Sequence, residues 1–586
     1  MPTLDWIGKA AVVNHHRKVP YHLLRCDREL SAGDPDAGNL LVQGDNLLAL
    51  KALLPYYAGE VKCIYIDPPY NTGKEGWVYN DNVNSPEIRQ WLGKVVGPEA
   101  EDLCRHDKWL CMMYPRLALL KGFLADDGII FISIGKDEFG HLRLLCDDVF
   151  GPRNLVEMFI WHTEGHTENQ ERVTAVHEYV LAYERTPDRA RIRDIVDPNV
   201  PEDSKIRRDF AENSITKNGQ GNPPSVVVLP PGFPCAVKEL LLHPFEQADA
   251  LMKEAESVGY ITRQMTAKYD VEYPVRLDEM VVKSHVVAKP CRVFSGWASA
   301  RKLAAFIKNQ CRLIDDEGTT LGYYLSSRGV IYYRREGRTS RWVQTVLQNM
   351  GTTERNRYEL EAMGVHFPYP KPKELIAYLL SLATEGDDIV LDSFFGSGTT
   401  GHAAMLLNSN DGGKRRFIGV EMDSIIAQNC AARRLRALIE GFTSNSGSKR
   451  GRSIAGLRGG FRYCKLGNPL FDEAGSIAGE VRFPDLAAHV FFTETGSPIP
   501  ARATGKTALL GVHQGKAVYL LFNGVLGDRR PAGGNVLTHD VAQGLPAHPS
   551  GKGPRVVYGE ACRLGPKSLE HYGITFRQIP FELKVD

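Results

Sequence analysis

The chain of 586 residues has no run approaching the ~18 consecutive apolar residues that a membrane-spanning helix needs. Its opening, MPTLDWIGKA, lacks the basic-then-apolar profile of a secretion signal, so a cytoplasmic location is expected. It contains no CxxC pair, and its eleven cysteines are odd in number and scattered. A cysteine-rich zinc module is thereby excluded and a disulfide framework is unsupported; reduced thiols and no metal site are expected. There is no internal repeat and no excess of one charge sign, with 71 basic residues against 70 acidic. The string Gly505-Lys506-Thr507 is not a phosphate-binding loop, because Pro500 stands where that loop needs its first glycine.

What is present is an ordinary globular composition, 43% hydrophobic and 24% charged, at a length that implies roughly three or four domains. The charge balance hides an asymmetry: Lys283 to Arg341 holds twelve Lys/Arg against four Asp/Glu. That stretch reads either as solvated surface or as a contact to a phosphate backbone.

The first 185 residues alternate strand-like and helix-like runs, as in a sheet with helices on its faces. Leu40–Gln43, Val61–Ile66, Ile129–Ile134 and His177–Tyr183 read as strands, and Trp109–Leu124 as a helix. From 186 to 350 the rhythm fades, which predicts an inserted domain. It returns between 351 and 442, with helix Lys373–Ala383, strand Ile389–Leu391, helix Thr399–Leu407, strand Arg416–Val420 and helix Ser424–Ile439. A Gly/Ser/Arg-rich linker is expected over 443–460, and a separate β-rich domain over 461–586. One α/β domain is therefore written in two pieces.

Two motifs carry chemistry. Asp67-Pro68-Pro69-Tyr70 directly follows the strand VKCIYI, and ligands of open α/β sheets bind beyond the carboxyl ends of strands. Two prolines fix a rigid turn that offers carbonyls and a carboxylate as acceptors, and Tyr70 offers a flat face. A nucleobase with an exocyclic amine fits both features. The second motif, Val390-Leu-Asp-Ser-Phe-Phe-Gly-Ser-Gly-Thr-Thr-Gly401, is a strand breaking into glycines and reopening as a helix. Gly396 and Gly398 allow a tight turn and close approach, the helix start offers N–H groups to an anion, and Glu421 ends the next strand, where a carboxylate can accept from ribose hydroxyls. The glycine pattern alone also fits a nicotinamide dinucleotide, but such an enzyme gives no reason for the Asp67 motif.

Together these strings resemble the DNA adenine methyltransferases of the permuted class, in which the catalytic motif precedes the methyl-donor motif, and more closely the modification subunit of type III restriction-modification systems. GDNLLALKAL, DPPYNTGKE, HEYVLAYE, FPYPKPKELIAYLL and LDSFFGSGTTGHA carry the resemblance. It implies a Rossmann-like S-adenosylmethionine-dependent domain split by an inserted target-recognition domain, with a small β-rich C-terminal domain. Asp67 and the Pro68 carbonyl, with Pro69 shaping the turn, would hold the target amine and Tyr70 would stack on the flipped base. Asp392, Phe394, Gly396, Gly398, Thr399 and Glu421 would hold the methyl donor. Asp45 matches a contact to the donor's adenine, or caps the following helix; Lys371 matches a donor-binding segment; Trp161 is a second aromatic wall or a core residue. The family usually has Ala where Phe395 stands. Lys283, Arg292, Arg334, Arg335, Arg338 and Arg341 would grip duplex DNA. Implied partners are a second copy of the chain and a restriction/helicase subunit. Cytosine-N4 methylation and a catalytically idle DNA-recognition subunit are the competing readings.

Overall fold

A computed structural model describes residues 4–72, 86–96, 104–163, 175–193, 195, 210–316, 318–336, 343–444, 451–472, 476–525, 527–551 and 553–580. The strands of the main sheet, in chain order, are β1 (His22–Gly33), β2 (Leu40–Gln43), β3 (Val61–Ile66), β4 (Leu124–Ile134), β5 (Leu155–His162), β6 (His177–Glu184), β7 (Val346–Leu347), β8 (Ile389–Asp392), β9 (Arg416–Glu421) and β10 (Gly460–Pro469). They form one ten-stranded sheet in the spatial order β1-β10-β2-β9-β8-β3-β4-β6-β5-β7. The centre, β2-β9-β8-β3-β4, is parallel, and β6 runs antiparallel to both β4 and β5.

Burial explains the composition of these strands. Val61, Cys63, Ile64 and Ile66 in β3, Val390 and Leu391 in β8, and Ile130 and Ile132 in β4 are wholly excluded from water. Parallel strands covered on both faces read as continuous apolar runs because neither face is solvated. Helices Asn46–Tyr57, Arg105–Phe123 and Lys373–Ala383 supply the cover, each contributing buried leucines. Strands β3 and β8 are direct parallel neighbours, with Leu391 opposite Ile64, so Asp67 and Asp392 leave the sheet at the same edge.

The chain divides into two compact units, Met1–Arg193 with Gln344–Asp586, and Asp194–Val343. The insertion is thus narrower than 186–350. Arg193 belongs to the sheet unit because its N–H donates to the Leu382 carbonyl, and Val346–Leu347 belongs to it because that strand pairs with β5. The inserted unit is built from antiparallel strands, among them Phe210–Ser214, Thr319–Leu325 and Ile331–Glu336, around a core that includes Phe233, Trp297, Phe306 and Tyr323.

Three expectations need correction toward the C-terminus. The 461–586 segment does not begin as a separate domain: Gly460–Pro469 is β10, parallel to β2 and antiparallel to β1, at the heart of one flank of the main sheet. The Gly-rich stretch before it is a compositional boundary rather than a domain boundary, and its ends, Phe442–Ser444 and Arg452–Ile454, pair as a hairpin. The remainder is α/β rather than β-rich. Strands Lys516–Leu520, Arg555–Gly559 and Ile574–Gln578 are mutually parallel, with helices His539–Gly544 and Pro566–Tyr572 along the crossovers. The cysteines are not all thiols either. The β1–β10 register sets Cys26 opposite Cys464, and the two form a disulfide; their separation in sequence hides the pairing. The segment read as helix Ser424–Ile439 contains a π-helical stretch, Ile426–Ala432, before Arg433–Glu440.

Candidate active site

The turn after β3 is fixed by its neighbours. The Trp109 indole N–H donates to the Pro69 carbonyl at 2.7 Å, and the Tyr70 hydroxyl donates to Glu178 Oε2 at 2.7 Å. Strand alternation places Tyr65 and Asp67 on one side of the sheet, where the Tyr65 hydroxyl meets Ser133 at 2.8 Å. The Asp67 carboxylate is buried, and its Oδ1 has no hydrogen-bond partner. Lys371 lies beside it. Its Nζ is 3.1 Å from Asp67 Oδ1 and 3.3 Å from Glu178 Oε2, 4.6 Å from the centre of the Tyr70 ring and 5.9 Å from that of Trp161. The Asp67 contact is an ion pair, and a carboxylate with several lone pairs can accept a further donor beside it.

The charges follow from this packing. Burial pushes the Asp67 carboxyl above its usual range, Lys371 pulls it down and Glu178 pushes it up again. Burial works to lower the Lys371 ammonium, but Asp67 and Glu178 outweigh it and the ammonium is held above its usual value. An unmet acceptor in such a site is costly unless something donates to it.

The glycine motif completes the cleft. Asp392 ends β8, accepting from the Phe394 N–H at 2.9 Å and the Thr400 hydroxyl at 2.5 Å. Its carboxyl is pushed up to about 7 by burial. Gly396 and Gly398 have φ of 53° and 80°, a region that side chains with a Cβ avoid. The Gly396 N–H donates to Glu421 Oε2 at 2.8 Å, and Glu421 Oε1 accepts from the Asp423 N–H at 2.9 Å. Helix Thr399–Asp411 begins without a side-chain cap, so its first N–H groups remain available to an anion. Arg434, itself buried, braces the bend by donating to the Thr399 hydroxyl at 2.8 Å and to Ser397 Oγ at 3.1 Å. One cleft is lined by Tyr65, Asp67 and Lys371 on one wall and by Asp392, Phe394 and Gly396 on the other. Two strand ends far apart in sequence therefore open onto one space.

The family model described as DNA methylase (N6_N4_Mtase) matches residues 61–431, which takes in both strand ends. The chain belongs to the DNA methylase family. The chain is 30% identical over 458 residues to the EcoPI Mod subunit, a type III restriction-modification enzyme of Escherichia phage P1, a match covering 72% of this chain and 64% of that one. It is 28% identical over 443 residues to the EcoP15I Mod subunit of Escherichia coli, with the same two shares. It is also 26% identical over 411 residues to the type II methyltransferase M.KpnI of Klebsiella pneumoniae, covering 68% of this chain and 84% of that protein. The match thus spans less than two thirds of each of these Mod subunits. Similar solved structures include the PvuII DNA methyltransferase, described as cytosine-N4-specific, at 13% identity and a TM-score of 0.29 over 69% of this chain and 89% of that chain.

Several other expected residues have partners within the fold. Asp45 caps helix Asn46–Tyr57, accepting from the N–H groups of Leu47 and Leu48 at 2.9 and 3.0 Å, and pairs with Arg116 at 3.4 Å; it does not line the cleft. Lys371 pairs with the Asp67 carboxylate and lines the same cleft as Gly396. Trp161 is buried, and its indole N–H has no hydrogen-bond partner. In the inserted unit Lys283 is exposed, whereas Arg292 is committed to Asp278 at 2.9 and 2.8 Å. Arg334 pairs with Glu336 at 3.0 Å and lies over the Phe210 ring, and Arg335 pairs with Asp316. The expected basic grip is thus partly neutralised within the unit, because neighbouring strands bring acids that a linear count sets aside. Arg338 and Arg341 lie outside the described residues. Sequence reasoning missed Glu178; the signal was available, since an acidic residue at the start of the apolar strand HEYVLAYE is out of keeping with its neighbours.

Proposed function

We propose that this chain is a site-specific DNA methyltransferase that moves a methyl group from S-adenosylmethionine to the N6 amine of an adenine flipped out of duplex DNA, as the modification component of a type III-like restriction-modification system. The observation that carries the reading is the buried, hydrogen-bond-free Oδ1 of Asp67, facing the glycine bend across one cleft. An exocyclic amine is a poor nucleophile because its lone pair is delocalised into the ring. Accepting its hydrogens at Asp67 and at the Pro68 carbonyl favours a tetrahedral nitrogen, and holding the base against the Tyr70 face fixes the line of attack. Asp67 acts as acceptor and aligner; the amine becomes acidic only once methylated, and the carboxylate can take the proton then.

The residues present suit the donor. The uncapped start of helix Thr399–Asp411 suits its carboxylate, and the φ values of Gly396 and Gly398 admit close approach; Glu421, at the end of the next strand, is the carboxylate placed to meet ribose hydroxyls. Bound there, S-adenosylmethionine would supply an electrophilic methyl on sulfur. Base flipping, at a few kcal/mol of unstacking, requires substantial DNA contact, and we assign that to the inserted unit Asp194–Val343, with a second copy and a restriction subunit as further partners. Methylation-sensitive sequencing of DNA from cells expressing this chain, with mass spectrometry of its nucleosides, tests the reading. N6-methyladenine at one recurring site is the expected result, N4-methylcytosine would move the acceptor to cytosine, and unmodified DNA would overturn the assignment.

A further inference from the structure

The site holds one buried ammonium between two carboxylates, Asp67 and the half-buried Glu178, and only Asp67 belongs to the reacting motif. The side chains of Lys371, Asp67 and Glu178 are 9%, 14% and 27% exposed. The charged and titratable groups facing Asp67 are Lys371, Glu178, Tyr70, Tyr65 and, across the cleft, Asp392. Glu178 opposes charge on Asp67, Tyr70 favours it only as a neutral hydroxyl donor, and Lys371 is the one cation among the five. Two carboxylates that share one neighbouring ammonium oppose each other's charge, and the cation between them offsets that repulsion. Lys371 supplies that charge, and the Asp67 carboxylate keeps lone pairs for a further donor. Glu178 tethers the other side of the arrangement, accepting the Tyr70 hydroxyl and standing 3.3 Å from the same ammonium.

We propose that Lys371 and Glu178 form a positioning pair for methyl transfer: Lys371 keeps Asp67 a carboxylate with its acceptor site open to the target amine, and Glu178 holds Lys371 and Tyr70 in place at the expense of opposing that charge. This rests on the methyltransferase reading and departs from the donor-binding role that sequence resemblance gives to Lys371. The two residues act on Asp67 with opposite sign, which a purely structural role does not produce.

The test compares pH profiles of single-turnover methylation for the full chain, Lys371→Met, Lys371→Arg and Glu178→Gln, with donor binding measured by calorimetry on each. Ionised Asp67 is the competent form, so activity is lost as pH falls through its pKa. Lys371→Met should move the acidic limb to higher pH by about one unit, a ten-fold fall in the ionised fraction at a pH on that limb, while donor affinity stays within about two-fold. Lys371→Arg should restore the wild-type limb. Glu178→Gln, which still accepts from Tyr70, should move the limb to lower pH. Infrared difference spectra of donor-free protein against Asp67→Asn give a readout apart from turnover: the protonated-carboxyl band should persist to higher pH in Lys371→Met and vanish earlier in Glu178→Gln. Limbs and bands unmoved, moved in the same direction by both variants, or a Lys371→Met protein that loses donor binding with an unshifted limb would overturn the pair. A wild-type chain that methylates no DNA, with the infrared shifts as stated, would overturn the methyltransferase reading and leave the pair standing.

Discussion

The Phe395 ring occupies the space above Gly419: a Cβ built on that glycine would stand 2.5 Å from the ring. Phe395 lies in the glycine bend after β8, Gly419 in the neighbouring strand β9, and the ring stacks on Phe417 with centroids 6.0 Å apart. A buried phenylalanine fits in this bend because the adjacent strand has no side chain at the point of contact. Gly419→Ala should force the ring out of this slot and cost about 1–3 kcal/mol by overpacking, read as a lowered midpoint of chemical unfolding. The double variant Phe395→Ala/Gly419→Ala should lose less than the sum of the two single changes. Additive effects would show that the two positions do not share the space.

Asp67→Ala removes the open acceptor while leaving the glycine bend untouched. Donor affinity should be unchanged and methylation should fall by at least about 10²–10³-fold, the scale for losing one pre-organised transition-state contact. Asp67→Asn should fall nearly as far, since an amide presents one acceptor and no charge to the amine. Rapid-quench single-turnover measurements separate this from product release, and near-normal turnover in Asp67→Ala would remove Asp67 from the chemistry.

Much of this site was legible because its parts are local. A strand that stops at a rigid Pro-Pro turn, and another that dissolves into glycines, mark themselves in a handful of residues, and the strands Val61–Ile66 and Ile389–Asp392 fall where the apolar runs put them. What escaped was set by pairing between distant segments. Composition could not show that Gly460–Pro469 inserts between β1 and β2, nor that Asp278 and Asp316 answer Arg292 and Arg335. Asp45 shows the same limit from the other side: the position that suits a ligand contact also suits a helix cap, and the two N–H groups of the first turn claim it.

Asp392 predicts a pH dependence of stability. Its carboxyl is raised from 3.8 to about 7 by burial, so the folded protein binds this proton more tightly than the unfolded chain does. Stability from this group is fully present below about pH 4 and declines as pH rises toward about 7. Asp392→Asn removes the titration while keeping an acceptor for the Phe394 N–H and placing an amide N–H, which the Thr400 hydroxyl can accept, where the second carboxylate oxygen stood. The difference in unfolding free energy between wild type and Asp392→Asn should therefore drift in favour of the variant between pH 4 and 7 and level off above. A constant difference across that range would mean that Asp392 is ionised in the folded state throughout.

The charges of the inserted unit make the final prediction. Arg292 is held by Asp278 through two hydrogen bonds, and Arg335 by Asp316, which Lys302 also contacts at 2.7 Å. An arginine already paired in the free protein must exchange one anion for another to reach a phosphate, so its contribution to counterion release is smaller than its charge suggests. Lys283, exposed on the strand Met280–Lys283, has the larger expected effect. Removing one cation that neutralises a phosphate should flatten the slope of log affinity against log salt by about 0.9. Lys283→Ala should approach that change, and Arg292→Ala should fall well short of it while lowering the stability of the unit through loss of the Asp278 pair. Equal slopes for both variants and wild type, measured by fluorescence anisotropy on a duplex carrying the methylated site, would mean that DNA passes along a different surface of the chain.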